Sequence, residues 1–169
     1  MTTRKKFTVQ SVFSVFVCLT LLTGILSGCG KKENSELKAF QTELNEFTAS
    51  VAELDTKINS INPTSDNAVN ELLSYYDMLE AEFAELAEIP VPEEYSDVER
   101  LADSAGKYMS EAVSYYHVAF EGETLDSDIF NLASSYYEKA FTFVNYIGEV
   151  LMGADITFQS DLDNTEPTE

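Results

Sequence analysis

Three Ser-Tyr-Tyr triplets, one histidine and a short acidic loop are the residues whose types and spacing bear on chemistry in this 169-residue chain. The triplets are Ser74-Tyr75-Tyr76, Ser114-Tyr115-Tyr116 and Ser135-Tyr136-Tyr137. Neighbouring residues on a helix point about 100° apart, so one tyrosine of each pair enters a core while the other lies along its edge with a wet hydroxyl. Tyr76, Tyr115 and Tyr136 are the candidates for an aromatic groove between helices that would hold a small apolar, sugar or cationic ligand. Packing of the rings opposite alanines is the plainer reading of the same positions. His117 falls with Asp103, Gly106 and Ser110 on the polar side of its helix and reads as solvated rather than as a base or ligand. No Glu-x-x-His pair exists, which removes the di-iron bundle pattern, and histidine-based zinc sites fail for want of a second histidine. Glu121, Glu123, Asp126 and Asp128 offer oxygens to a hard cation. As an EF-hand beginning at Asp126, however, the loop puts Asn131 where glycine is needed and Tyr137 where the bidentate glutamate is needed. The loop reads as solvated, and no metal or cofactor is assigned. There is no glycine-rich phosphate loop, no nucleophile elbow and no carboxylate placed in an apolar seam where desolvation would raise its pKa. The expectation is a protein that is not an enzyme.

The elements that position these residues are helices. Leu37, Phe40, Leu44, Phe47, Val51, Leu54, Ile58 and Ile61 recur at alternating steps of three and four, predicting a first helix from about 35 to 60. That seam would also permit a self-associating coiled coil. Asn62-Pro63-Thr64-Ser65-Asp66-Asn67 stops it. A second helix over roughly 66–88 repeats the seam with Val69, Leu72, Tyr76, Leu79, Phe83 and Leu86. After Pro90-Val91-Pro92, Ser96 and Glu99 have the spacing of a capping box, so a third helix should begin near 97. It carries two adjacent stripes, one through Leu101, Ala105, Tyr108, Ala112 and Tyr115, the other through Ala102, Met109, Val113 and Tyr116. Gly122 closes it, and Asp126 or Ser127 caps a fourth helix through about 151. The apolar stripe of this last helix is wider than one seam requires, predicting cover on a second side by the chain's own tail or by a protein partner. The stretches Ala112–Phe120 and Ala133–Phe141 align around their triplets, as the two arms of a duplicated hairpin would. The fold class expected is all-α, an antiparallel four-helix bundle over 34–153, with an acidic, mostly disordered tail over 154–169.

The N-terminus is organised differently. Arg4, Lys5 and Lys6 precede an uncharged, almost wholly apolar run from Val12 to Leu26, the order of a secretory signal. The run is roughly 15 residues, short of the ~20 that a membrane-spanning helix needs. It ends in Leu26-Ser27-Gly28-Cys29, followed by Lys31 and Lys32. This segment closely resembles the lipobox signal peptides of bacterial lipoproteins. The resemblance implies cleavage between Gly28 and Cys29, a diacylglyceryl-modified Cys29, and attachment to the cell membrane by that lipid on the extracytoplasmic face. Residues 1–28 are then the signal peptide and 29–33 a short tether. The body resembles the small, acidic, tyrosine-rich helical lipoproteins of Gram-positive bacteria. Cys18 lies inside the apolar run, so a mature chain starting at Cys29 has no second cysteine and forms no intramolecular disulfide.

Charge narrows the partners. Removing Arg4, Lys5 and Lys6 from the ten basic residues leaves seven against 30 acidic, net −23 for residues 29–169. Binding to nucleic acid through phosphates is excluded on that balance, and cationic partners are favoured. If the first helix leaves the membrane at the tether, the 62–67 turn and the 121–128 loop lie at the distal end, and the Pro90 link lies at the proximal end. The function expected is that of a non-enzymatic binding or scaffolding module acting through those distal loops or the mild face of the fourth helix. The alternative is a carrier of a small ligand between the tyrosine-bearing helices.

Overall fold

The computed structural model describes residues 35–153, so the lipobox with Gly28 and Cys29, the tether and the acidic tail lie outside the described residues. Four helices make up the described chain: α1 (Ser35–Ser60), α2 (Ala68–Glu88), α3 (Asp97–Phe120) and α4 (Ser127–Leu151). They form an all-α bundle in which each helix packs on the next in the chain. Their links are too short for anything but antiparallel neighbours. No described helix is long and apolar enough to cross a membrane.

Local chemistry explains the ends of the helices. The α1–α2 turn satisfies itself: Asn62 Oδ1 accepts from the Thr64 N–H at 3.1 Å and from its hydroxyl at 2.8 Å, and the Ser65 N–H donates to the Asn62 carbonyl at 3.0 Å. The capping box expected at Ser96 does not form. A 3-10 turn over Glu93–Tyr95 runs straight into α3, which leaves Ser96 helical (φ −52°, ψ −28°) and its side chain off the first N–H groups. A capping serine needs extended backbone, and the preceding turn denies it that. Asp126 is extended and does cap α4, its Oδ1 accepting from the N–H groups of Asp128 and Ile129 at 3.1 Å each. Gly122 is not needed in a left-handed conformation: α3 ends at Phe120, and the Asp126 N–H reaches back to the Ala119 carbonyl at 3.0 Å.

The seams become one core. Phe40, Leu44, Phe47, Val51, Leu54 and Ile58 of α1 are buried within the chain, so the stripe that would serve a coiled coil is already covered. The closeness of each helix pair follows side-chain size. Ala102, Ala105, Ala112 and Ala119 on α3, with Ala133 and Ala140 on α4, are all buried, and these two helices approach most extensively; α1, faced with large side chains, approaches its neighbour least. Gly106 serves the α2–α3 contact. A Cβ there would lie 3.2 Å from the Phe83 carbonyl oxygen, so α2 rests on the bare backbone of α3. The side of α3 read as polar therefore faces α2: Ser110 donates to Glu80 Oε1 at 2.6 Å, and His117 Nε2 lies 2.6 Å from Asp77 Oδ1. His117 and Asp77 remain about half exposed, a geometry in which an ion pair contributes little.

Candidate functional site

The three triplets sort into two tyrosine clusters. The second tyrosine of each pair turns inward: Tyr76 stacks on Tyr116 with centroids 4.3 Å apart and planes 16° apart, and Tyr137 lies 6.2 Å from Tyr76 and 6.4 Å from Tyr116. The first tyrosines of the α3 and α4 triplets meet on the other side of that helix pair, Tyr115 and Tyr136 at 5.4 Å. One heptad along, Tyr108 stacks on Phe143 at 5.4 Å, and Lys139 Nζ lies 5.3 Å from the rings of both Tyr108 and Tyr136. Tyr115 and Tyr136 are thus brought together, while Tyr76 belongs to the inner cluster. Which stripe of α3 faces which neighbour decides this, and periodicity along one helix does not carry that information.

Burial gives the inner cluster its electrostatics. Desolvation, reinforced by the neighbouring Tyr116 and Tyr137, pushes the Tyr76 hydroxyl far above the ordinary tyrosine range. Tyr137 is raised for the same first reason. Tyr116 is raised by burial. Its hydroxyl lies 3.1 Å from Ser134 Oγ, which itself donates to the Phe130 carbonyl at 3.0 Å, so Tyr116 is the donor to Ser134. The outer Tyr136 ring is covered, and its hydroxyl is raised by desolvation and then by the Glu111 carboxylate beside it. Asp55 qualifies the expectation that no carboxylate sits in an apolar seam where desolvation would raise its pKa: it lies beside the α1 seam, next to Leu54, and is partly covered. It lies on the side of α1 that faces Tyr137, and burial raises its pKa against a hydrogen bond from Asn59.

Tyr76 also forms the floor of a cleft at the end of the bundle where the 61–67 turn and the 121–126 loop lie side by side. The cleft encloses about 280 Å³. Its α1 side is Ile58, Ile61 and Pro63; Val69 and Leu72 of α2 continue it; Phe120, Leu125 and Phe130 close the far side. Ile61 and Val69 are the terminal members of their seams, Ile61 just past the end of α1 and Val69 in the first turn of α2. Phe120 and Phe130 pack edge-to-face on each other at 5.9 Å rather than across the opening. Glu123 and Ser65 are the polar side chains of the lining. Val69 is 40% exposed although it belongs to an apolar seam. Sequence reasoning placed Ile58, Ile61, Val69, Leu72, Tyr76, Phe120 and Phe130 on helix stripes and Pro63 and Ser65 in the turn; the available signal for a cleft was the apolar character of Ile61, Pro63 and Leu125 in segments that are otherwise polar.

Other concave surfaces offer less. A depression of about 300 Å³ between α1 and α2 is edged by Glu43, Glu46, Glu82 and Glu85, whose like charges keep them in water. Among the described residues no three His, Cys, Asp or Glu side chains converge as a metal ion would require. In the acidic loop, Asp126 spends its Oδ1 on the start of α4. The stripe of α4 that seemed too wide is used internally, by Tyr76 and Phe83 of α2 and by Tyr108 and Tyr115 of α3. Large apolar side chains left exposed among the described residues are Val69, Met78, Val118 and Met152.

Comparison with protein-family models, with curated proteins and with solved structures finds no match to this chain.

Proposed function

We propose that this chain is an extracytoplasmic lipoprotein, held to the membrane through lipid on Cys29, whose four-helix body is a non-enzymatic binding module that engages a protein partner at its distal end. The observation that carries the reading is the apolar cleft of about 280 Å³ between the two loops at the end of α1 away from Ser35. A helix of 26 residues spans roughly 39 Å, so a tether at Cys29 holds the cleft that far beyond the membrane surface. The face of α4 is the weaker docking surface, because its rings are taken up inside the bundle.

Two measurements test the two halves of this reading. Mass spectrometry of the mature N-terminus is expected to find a diacylglyceryl thioether on Cys29, and an unmodified cysteine overturns the anchor. Photo-crosslinking side chains at exposed Thr64 and Glu121, on the rim, are expected to capture protein in intact cells, whereas exposed Lys107 on the shaft is not. Equal labelling at all three, or none, overturns a distal site. The second reading, a carrier of a small apolar ligand, is favoured by the enclosed apolar walls above Tyr76. It requires a small molecule to co-purify with the protein and to be displaced by filling the cleft.

A further inference from the structure

The walls of the distal cleft and the charge around it ask for different things of an occupant, and few ligand classes supply both. The walls are hydrocarbon and aromatic ring from three sides, Ile61, Val69, Leu72, Phe120, Leu125 and Phe130. The segments that build it, 61–75 and 118–130, contain carboxylates at Asp66, Glu71, Glu121, Glu123, Asp126 and Asp128, and neither contains lysine or arginine. Two basic side chains come near these segments in sequence, and both are already engaged: Lys57 with Glu53 at 2.7 Å and His117 with Asp77 at 2.6 Å. Glu123 is the charged side chain of the lining, and the segments on either side of it carry carboxylates alone, so the field at the mouth has one sign. The whole chain, at net −20, adds to the field in the same direction.

From this complementarity we infer that the cleft is the docking site of a cationic amphipathic peptide segment, whose apolar residues enter between the loops while its lysines or arginines meet the acidic rim. The inference rests on the binding-module reading and names the chemistry of its partner. Size favours a peptide over a free small molecule. Pockets that enclose a drug-sized ligand run from roughly 300 to 1,000 Å³, and about 280 Å³ suits one or two anchoring side chains whose backbone stays outside. An amphipathic helix laid across a groove presents such anchors at steps of three and four, with its charged side chains fanned toward the rim. Anionic peptides, phosphates and acidic lipid headgroups are repelled by the same carboxylates. An uncharged apolar peptide has the anchors and lacks the attraction.

The chain has no tryptophan, so a tryptophan in a probe peptide reports alone. The experiment titrates a helical peptide of leucine, lysine and a single tryptophan against the full chain held in neutral-lipid nanodiscs, with empty discs as the blank. Saturable binding with a blue shift of the tryptophan emission is expected. Val69→Asp is the decisive variant. Val69 is at the mouth and 40% exposed, and an added carboxylate in the first turn of α2 is compatible with the helix, so the fold survives. Attraction by charge alone predicts tighter binding to Val69→Asp; docking in the cleft predicts a loss of at least about tenfold. The double variant Glu121→Gln/Glu123→Gln should weaken binding about three- to tenfold at low salt, a difference that vanishes near 1 M salt. Binding of the peptide to Val69→Asp as tight as to the wild type, equal binding of a lysine-only peptide, or no binding overturns the inference. Equal, Val69-dependent binding of a leucine–glutamine peptide also overturns it, while leaving the distal binding module standing. That module falls on the crosslinking result instead.

Discussion

Alkaline pH should unfold this protein through its inner tyrosines, and the size of the effect follows from where their hydroxyls sit. Tyr76 is 2% exposed, and burial holds it and Tyr137 protonated far above the ordinary tyrosine value. Below about pH 10 these hydroxyls are protonated in both the folded and unfolded chains, and their contribution to stability is fully present. Above it the unfolded chain releases the protons and the folded chain does not, so stability is lost as pH rises. Each group costs about 1.4 kcal/mol per pH unit while its folded form stays protonated. At pH 11 Tyr76 and Tyr137 together remove about 3 kcal/mol, and Tyr116 adds to the loss in the same direction. A domain of this size has only about 5–15 kcal/mol to lose. The assay is urea unfolding followed by far-UV circular dichroism at about pH 9 and pH 11, with tyrosinate absorbance recorded in parallel. Tyr76→Phe separates this effect from general repulsion in an acidic chain. It should lose about 1 kcal/mol near neutrality with the hydrogen bond to Tyr116, yet fall less steeply above pH 10 by about 1.4 kcal/mol per unit. Tyrosinate absorbance from all nine tyrosines with the helices intact, or an identical alkaline slope in Tyr76→Phe, refutes the reasoning.

Asp126→Ala removes the acceptor for two N–H groups at the start of α4 and should cost about 1 kcal/mol, read as a lower urea midpoint with unchanged slope. Gly106→Val should cost about 1–3 kcal/mol, because the new Cβ meets a helix carbonyl at 3.2 Å, and Gly106→Ala should fail to deliver the ~1 kcal/mol that alanine normally brings to a helix. Asp55→Asn should stabilise the protein at neutral pH. The folded carboxyl is raised above its unfolded value of 3.8, so wild type loses stability as pH climbs through the folded pKa, and the gain from asparagine disappears in melts below that unfolded value.

The architecture was legible because the helices are long and their apolar residues recur without interruption. Phe40 to Ile58 in α1 and Tyr76 to Leu86 in α2 are buried where their spacing places them. Turn chemistry was legible where one residue acts alone, as Asp126 does. It failed at Ser96, where a 3-10 turn three residues earlier changed the backbone that a capping box requires. Contacts between helices were the harder part. Ser110 and His117 look like surface on α3 by itself, and only the close approach at Gly106 brings them to Glu80 and Asp77. Tyr76 was grouped with Tyr115 and Tyr136 because all three lie on the main seams, but the two stripes of α3 face different partners. The cleft was not legible, since a void arises from what neighbouring loops leave unfilled, and Val69 and Leu72 carry the same pattern whether covered or open.

The order of the helices along the chain, with the closely packed α3 and α4 at its end, also sets an order in time. Synthesis delivers α1 first, with Phe40, Leu44, Phe47, Val51, Leu54 and Ile58 along one face, while the tightly packed alanine-lined pair comes last. At translation rates of 5–20 residues per second, the stretch from Ser60 to Leu151 takes roughly 5–20 s to appear, and the first stripe is not fully covered until it has. Unfinished copies would meet at that stripe. The carboxylates spread along α1 and α2 make such chains repel one another, so the acidity of this sequence protects the nascent protein before it has any partner to recognise.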